Sequence, residues 1–135
     1  MINAERKYGC SPEVVYGAWV AEETLVAPVT RIEKDVRVGG YYRLFVEMEN
    51  FTGIMSAEYQ EVIPGKKLVY SWEWNDDGEK TVVSVNFEPD EQGCIVRLTH
   101  GEFKSEESQG RHAYGWESYF DGLEKQVASR PEVSG

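Results

Sequence analysis

The order of hydrophobic and polar positions divides the chain into three parts. Residues 2–8 form a predicted short strand, and Ser11 and Pro12 begin a predicted helix, because serine caps free amide groups and proline suits the first helical turn. From residue 29 to about residue 101, apolar and polar side chains alternate, which is typical of antiparallel strands with one buried face. Six strands joined by short turns are therefore predicted for this middle part.

The last part, residues 105–128, is the clearest predicted helix. At about 100° per residue, its apolar side chains form one stripe around Trp116, with Tyr114 on the opposite side. Gly110, Gly115 and Gly122 each disfavour a helix by about 1 kcal/mol relative to alanine. We therefore expect tertiary packing to hold this helix, with the glycines allowing a neighbouring element to approach closely.

The element order predicts an α+β fold. A strand is followed by the helix at residue 12, a second short helix at residues 22–26, six strands and the long final helix. The final helix is the element long enough to cover the apolar face of the sheet. Arg43 and Arg97 alternate with the apolar positions and are predicted to face outwards. A bent sheet around a long helix often leaves an interior gap, which we expect large apolar rings to line; the expected lining residues are Tyr42, Leu44, Val46, Tyr59, Tyr70, Trp72, Val83, Val85, Leu98, His100, His112, Trp116 and Phe120.

Size and charge restrict the function. The 135 residues suit a single domain spanning residues 1–135. Fourteen basic and 24 acidic side chains give a net charge of −10, which disfavours binding to nucleic acid. No apolar run reaches the roughly 18–20 residues of a membrane span, and the first residues lack the apolar core of a secretory signal. Cys10 and Cys94 are too few for a disulfide framework, which favours the cytoplasm.

Candidate chemistry is limited to two histidines. His100 lies at the end of a predicted strand on the apolar side, and His112 lies on the inner stripe of the final helix. Either one is a weak candidate for a general base, and together they could form an acid–base pair. The alternative for His100 is a hydrogen bond to backbone at the strand end. Two histidines and two distant cysteines lack the spacing of a metal site, so neither a metal nor a cofactor is expected.

Five segments in order along the chain resemble the pattern of a known family. They are residues 35–43 (DVRVGGYYR), 61–72 (EVIP and LVYSW), 85–89 (VNFEP), 98–103 (LTHGEF) and 115–123, with Gly115, Trp116 and Leu123. The pattern is similar to that of the activator of heat-shock-protein-90 ATPase homologue family, in its C-terminal domain-like form. Nothing in the sequence resembles the separate N-terminal domain of the eukaryotic cochaperones.

The resemblance implies the helix-grip fold of the START-like, or SRPBCC, superfamily. This fold is a curved seven-stranded antiparallel sheet wrapped around a long C-terminal helix, with two short helices between strands 1 and 2. Members bind lipids, sterols, polyketides and other apolar ligands in a hydrophobic cavity between sheet and helix. In this topology the end of strand 1 runs beside the start of strand 7, which would make Cys10 and Cys94 neighbours.

Three functions are open at this level. Binding of a small apolar or aromatic molecule without catalysis is favoured. The first alternative is a cyclase- or hydratase-like enzyme in which His100 and a cavity tyrosine exchange protons. The second is a chaperone-interaction module that uses the outer acidic face of the sheet. Tyr41 and Tyr114 are expected to be exposed, which makes a homodimer contact a further hypothesis.

Overall fold

The computed structural model describes residues 1–21, 29–48, 51–75, 78–101 and 103–128. Its elements are β1 Ile2–Tyr8, α1 Pro12–Val20, β2 Arg31–Lys34, β3 Tyr41–Met48, β4 Phe51–Ile63, β5 Lys67–Trp74, β6 Thr81–Asp90, β7 Gly93–Gly101 and α2 Glu106–Ala128. The predicted second short helix at residues 22–26 lies outside the described residues.

The seven strands form one antiparallel sheet in the order β1-β7-β6-β5-β4-β3-β2. The alternation in the sequence is the reason for its one apolar face: in β6, Val83, Val85 and Phe87 are buried, whereas Ser84 and Asn86 between them are less so. β1 pairs with β7, so the first and the last strand of the sequence are neighbours in the sheet. The predicted α+β helix-grip fold is confirmed.

Helix α1 begins as the sequence predicts. The hydroxyl of Ser11 accepts a hydrogen bond from the backbone amide of Val14 at 3.3 Å, and Pro12 follows at the first helical position. The buried face of α1 carries Val15, Ala18 and Trp19. The indole ring of Trp19 on α1 therefore packs against the inner face of the sheet.

Helix α2 covers the inner face with Trp116, Phe120, Leu123 and Val127, which recur every three or four residues and are all buried. The predicted outer residue Tyr114 is 78% exposed. The expectation of a close neighbour at the helix glycines is wrong at two of them. A Cβ atom built on Gly110 or Gly115 meets nothing within 4 Å, because both lie on the solvent side of α2.

A tight connection positions Tyr59 on the inner face. Gly39 and Gly40 exchange backbone hydrogen bonds with Tyr59 at 2.9 Å each, next to a register shift in β4 between Tyr59 and Glu61. A Cβ atom on Gly40 would lie 2.0 Å from the carbonyl oxygen of Asp35, so only glycine fits there. The bulge bends the sheet and directs the Tyr59 ring inwards.

The outer face of the sheet carries balanced charge. Arg97 lies 2.6 Å from a carboxylate oxygen of Glu5 and 3.0 Å from one of Glu88, and Arg43 lies 3.8 Å from Glu33. Both arginines therefore face outwards, as predicted. Exposed pairs of this type contribute only about 0–1 kcal/mol each to stability.

Cys10 and Cys94 are both buried, and they are thiols rather than a disulfide. Cys94 is paired across the sheet with Tyr8, so the end of β1 does run beside the start of β7. Burial raises the pKa of the Cys94 thiol to about 11, and the nearby Cys10 thiol adds to this rise. Neither effect favours a reactive thiolate at Cys94.

Candidate functional site

The structure buries twelve of the thirteen expected lining residues, and His112 is half-buried. They lie on the inner face of the sheet or on the facing side of α2, and most belong to one continuous apolar core. Val46 is buried outside that main cluster. The side chains therefore point inwards as expected, and their role in lining a ligand cavity stays a prediction.

Trp116 is the centre of an aromatic cluster that joins both helices to the sheet. Its ring stacks on Trp19 of α1 with centroids 5.9 Å apart, and it meets Trp72 of β5 at 5.4 Å and Tyr119 of α2 at 5.7 Å. Trp19 and Tyr119 are absent from the expected lining, although both lie on apolar helix faces visible in the sequence. Such ring pairs contribute about 0.5–1.5 kcal/mol each beyond burial.

His100 is wholly buried, and both of its ring nitrogens are hydrogen-bonded. The indole N–H of Trp116 donates to Nδ1 at 3.0 Å, so the proton of the neutral ring lies on Nε2. Nε2 donates to Oγ1 of Thr81 at 2.6 Å, and Thr81 donates its own hydroxyl proton to the carbonyl of Trp72 at 3.1 Å. We call these four groups the His100 network.

This network makes His100 a poor general base. Burial, together with a smaller effect of the neighbouring His112, lowers the pKa of His100 to about 3. A base that works near neutral pH needs a free lone pair and a pKa near 7. His100 offers neither. Its partners are two side chains rather than the strand-end backbone, and the sequence analysis missed Thr81 although it alternates in phase with Val83.

His112 faces His100 with ring centroids 5.3 Å apart, so the structure brings the two histidines together as hypothesised. Nδ1 of His112 lies 2.8 Å from the carbonyl of Ser108 and must donate to it. The Ser108 hydroxyl donates in turn to Glu79 at 2.5 Å, and the Lys104 amide donates to the other Glu79 oxygen at 2.8 Å. The hydrogen bond from Ser108 and then that from Lys104 lower the pKa of Glu79.

Three tyrosine rings meet in the other half of the interior, and the phenol of a fourth, Tyr119, is close enough to influence them electrostatically. Tyr42 stacks on Tyr59 with centroids 6.0 Å apart, and Tyr70 stands edge-on to both at 5.4 and 5.7 Å. Burial raises the pKa of Tyr42, and the nearby phenols of Tyr70, Tyr119 and Tyr59 raise it further. The four phenol groups therefore converge on one region between the sheet and α2.

Some buried tyrosine hydroxyls have clear partners. Tyr8 donates to the carbonyl of Phe120 at 3.1 Å and so ties β1 to α2. The hydroxyl of Tyr70 accepts the indole N–H of Trp19 at 3.4 Å. These two bonds connect both helices to the sheet and satisfy polar groups that burial would otherwise penalise.

Other polar groups of the interior, on the buried Tyr42, Tyr59 and Trp72 and on the half-buried Tyr119, have no partner among the described residues. Within the described residues, the hydroxyls of Tyr42, Tyr59 and Tyr119 form no hydrogen bond. Among described side-chain nitrogen and oxygen atoms that are wholly enclosed, only Nε1 of Trp72 lacks a partner. The three hydroxyls are outside that class, so each keeps some surface that a water molecule can reach. We call these three hydroxyls and the Trp72 N–H the unpartnered set.

A separate concavity lies on the outer face of the sheet. It has a volume of about 510 Å³ and is lined by Arg43, Phe45, Ile54, Ser56 and Asn75. It lies on the opposite side of β3 and β4 from the tyrosines. Its lining combines an exposed isoleucine with polar groups, and none of the expected site residues contributes to it.

The described residues also bear on metal binding and on membrane crossing. In the part of the chain that the structure describes, no three His, Cys, Asp or Glu side chains lie close enough together to hold a metal ion. None of the described helices combines the length and the apolar character that crossing a bilayer requires.

The fold matches several solved structures at low sequence identity. An uncharacterised protein from Rhizobium leguminosarum has a TM-score of 0.83 at 20% identity, covering 96% of this chain and 94% of its own. Protein CV1439 from Chromobacterium violaceum has 0.80 at 20% identity, covering 96% and 97%. CalU16 from Micromonospora echinospora has 0.72 at 18% identity, covering 94% and 75%. No protein with a curated function matches this sequence.

These structures show the fold alone. The family model described as Activator of Hsp90 ATPase homolog 1-like protein matches residues 9–128, which include both described helices and every strand after β1. The match agrees with the resemblance carried by the segments between residues 35 and 123. With its START-like sheet and helix, the chain therefore belongs to the Activator of Hsp90 ATPase homolog 1-like family.

Proposed function

We propose that this protein binds a small apolar or aromatic molecule between the inner face of the sheet and α2. The observation that supports this most strongly is the unpartnered set. Buried polar groups are normally hydrogen-bonded, and a wholly enclosed donor without a partner among the described residues, such as Nε1 of Trp72, costs about 1–3 kcal/mol. Three water-accessible phenols among aromatic rings are the lining expected of a site that is mostly apolar and has a few polar contacts. We place the protein in the cytoplasm, where Cys10 and Cys94 would stay reduced.

Native mass spectrometry tests whether such a ligand exists. Protein purified gently from its own host is measured under native conditions and again after denaturation. We expect an adduct that disappears on denaturation and whose mass identifies the ligand class. The purified protein is then titrated with 2-methylnaphthalene, a neutral aromatic probe, and the chemical shifts of the core methyl groups are followed by NMR. Saturable shifts at Leu44 and Val85 support binding in the interior.

Variants locate the site. Tyr70→Ala and Trp116→Ala each remove a ring from the expected lining and are expected to weaken probe binding about tenfold or more. Tyr114→Ala is the matched control, because it removes a ring from the solvent side of α2. If both inner variants fold and bind the probe as tightly as Tyr114→Ala does, the proposed location is wrong. Shifts confined to the methyl groups of Ile54 would instead indicate the concavity on the outer face of the sheet.

The enzyme alternative has weaker support. The two candidate bases differ: His100 is held neutral in its network, and His112 keeps one nitrogen outside any hydrogen bond to a described residue. A proton-transferring pair would need His100 to exchange its proton, which first requires breaking the bond to Thr81 or to Trp116. We therefore favour binding without catalysis.

A chaperone contact is named by the family description, and we considered the outer face of the sheet for it. The charges described there are largely paired, as at Arg97 with Glu5 and Glu88. Paired charges give a smaller net field than an acidic patch would, so the geometry does not favour this surface for a cationic partner.

A further inference from the structure

One buried donor in the aromatic cluster lacks an acceptor. Trp72 is 8% exposed, and its Nε1 is wholly enclosed without a hydrogen-bond partner among the described residues. An indole nitrogen can only donate, so the group that completes this site must present an acceptor. A cation, which carries no acceptor, cannot do so.

One polar neighbour of Trp72, His112, has a ring nitrogen that bonds to no described residue. Its ring lies 5.5 Å from that of His100, whose two nitrogens are already used within the His100 network. Its ring lies 6.4 Å from that of His112. Because Nδ1 of His112 donates to the Ser108 carbonyl, Nε2 of the neutral ring carries a lone pair, and no described residue donates to it.

The two nitrogens suit one bridging group. The Trp72 and His112 rings are neighbours, with centroids 6.4 Å apart, and two hydrogen bonds that meet at one oxygen can join nitrogens up to about 6 Å apart. Phe103, with its ring 4.8 Å from that of His112, and Trp74, 6.1 Å from Trp72, add apolar surface around this point.

The local charge restricts the ligand further. The carboxylate of Glu79 is close enough to His112 for each to influence the other electrostatically, and its pKa is lowered, so it is ionised at neutral pH. A ligand carboxylate or phosphate would be repelled there, and burying any ion among these rings is costly. The group that meets Trp72 should therefore be uncharged.

We propose that Trp72 Nε1 and His112 Nε2 form a polar subsite for an uncharged hydroxyl group on an apolar or aromatic ligand. The hydroxyl oxygen accepts from Trp72, and its proton is donated to His112. This subsite rests on the proposed function and names the ligand class: a neutral alcohol or phenol rather than a hydrocarbon, an anion or a cation.

Three probes of nearly equal shape test the subsite. 2-Naphthol carries the donor and the acceptor, 2-methoxynaphthalene only the acceptor, and 2-methylnaphthalene neither. Affinities are measured by NMR titration, and the indole N–H signals of the four tryptophans are assigned from Trp→Phe variants. We expect 2-naphthol to bind about tenfold more tightly than 2-methylnaphthalene, with the Trp72 indole proton moving downfield.

Variants separate the two contacts. Trp72→Phe should remove the preference for both oxygen-containing probes, whereas His112→Phe should remove only the advantage of 2-naphthol over 2-methoxynaphthalene. Tyr114→Phe is the matched control, since it alters a ring on the solvent side of α2 and should leave the preferences unchanged. If a variant does not fold, the shift of the Trp72 indole proton in the unmodified protein on addition of 2-naphthol still tests the subsite.

The outcomes distinguish this subsite from the cavity itself. Equal affinity for the three probes, with no downfield shift at Trp72, overturns the hydroxyl subsite and leaves the proposed function in place. Binding of 2-naphthol without any change at Trp72 also overturns it. No saturable binding of any probe overturns both proposals.

Discussion

Two neighbouring regions of the interior treat their polar atoms in opposite ways. In the His100 network, each donor meets an acceptor across β5, β6, β7 and α2. In the unpartnered set, the Trp72 N–H and three phenols have no such partner among the described residues, although the Trp72 and His100 rings are 5.5 Å apart. Tryptophan side chains are therefore hydrogen-bonded in one of these regions and unpaired among the described residues in the other.

The difference indicates which region is structural and which is available to a ligand. A satisfied buried network strengthens a single packing arrangement, because breaking any one of its bonds leaves another group unpaired. An unsatisfied buried donor lowers stability in the unliganded protein, and a ligand that supplies the acceptor recovers that cost. We expect mutations in the two regions to have opposite signatures in stability and in binding.

The largest expected effect is the pH dependence that His100 imposes. Its folded-state pKa of about 3 lies below the ordinary value of 6.5, so the unfolded chain takes up the proton first as the pH falls. The stability that comes from keeping His100 neutral is therefore fully present above pH 6.5. Below pH 6.5 the free energy of unfolding falls by about 1.4 kcal/mol per pH unit, until the pH approaches 3. Urea unfolding at pH 7, 6, 5.5 and 5 measures this slope.

His100→Gln provides the comparison, because its amide does not titrate. The slope of stability between pH 6.5 and 5 should shrink in this variant, in a range where ordinary carboxylates are still mostly ionised. An unchanged slope would show that His100 is not held neutral by burial.

A pair of matched tryptophan substitutions compares the two regions directly. Trp116→Phe removes the indole that donates to His100, whereas Trp72→Phe removes an indole N–H that has no partner. Both shrink a buried ring by the same amount. We therefore expect Trp116→Phe to cost about 1–3 kcal/mol more than Trp72→Phe in denaturant unfolding. Equal losses would mean that the Trp116 bond contributes nothing to stability.

Two tyrosine substitutions repeat this comparison on a smaller scale. Tyr8→Phe leaves the carbonyl of Phe120 without its donor and is expected to cost about 1 kcal/mol. Tyr42→Phe removes a hydroxyl that bonds to no described residue and should change the free energy of unfolding by less than about 0.5 kcal/mol. A larger loss at Tyr42 than at Tyr8 would contradict the division into two regions.

The smallest effect is expected outside both regions. Gly115→Ala and Gly110→Ala place a methyl group in open space on the solvent side of α2, so each should raise stability by about 0.5–1 kcal/mol. Thermal unfolding measures the gain, and probe affinity should stay constant. A simultaneous loss of probe binding would indicate that the position of α2, rather than its stability, had changed.

The fold could be predicted because its evidence is local. The alternation of Val83, Val85 and Phe87 with polar neighbours identifies a strand and its buried face without knowledge of any other element. Ser11 marks the start of α1 in the same way, through a bond to an amide three residues further on. Gly110 and Gly115 were interpreted wrongly, because a sequence does not say which side of a helix a neighbouring element occupies.

The site could be predicted only in part. Trp72 and Trp116 both lie at positions that the sequence pattern predicts to be buried. Nothing in the neighbouring sequence shows which of the two indole N–H groups has a hydrogen-bond acceptor. That distinction depends on how far α2 lies from β7 and on the rotamer of each ring. Thr81 carried a weak signal, a polar residue in the buried phase of β6, which could have identified it as the partner of a buried donor.

A crystal structure of the protein with 2-naphthol tests the central claim most directly. The account predicts density for the naphthalene rings between the sheet and α2, with the oxygen about 3 Å from Nε1 of Trp72 and also near Nε2 of His112. Naphthol found only in the outer groove between Arg43 and Asn75, with the interior filled by protein side chains, would contradict it.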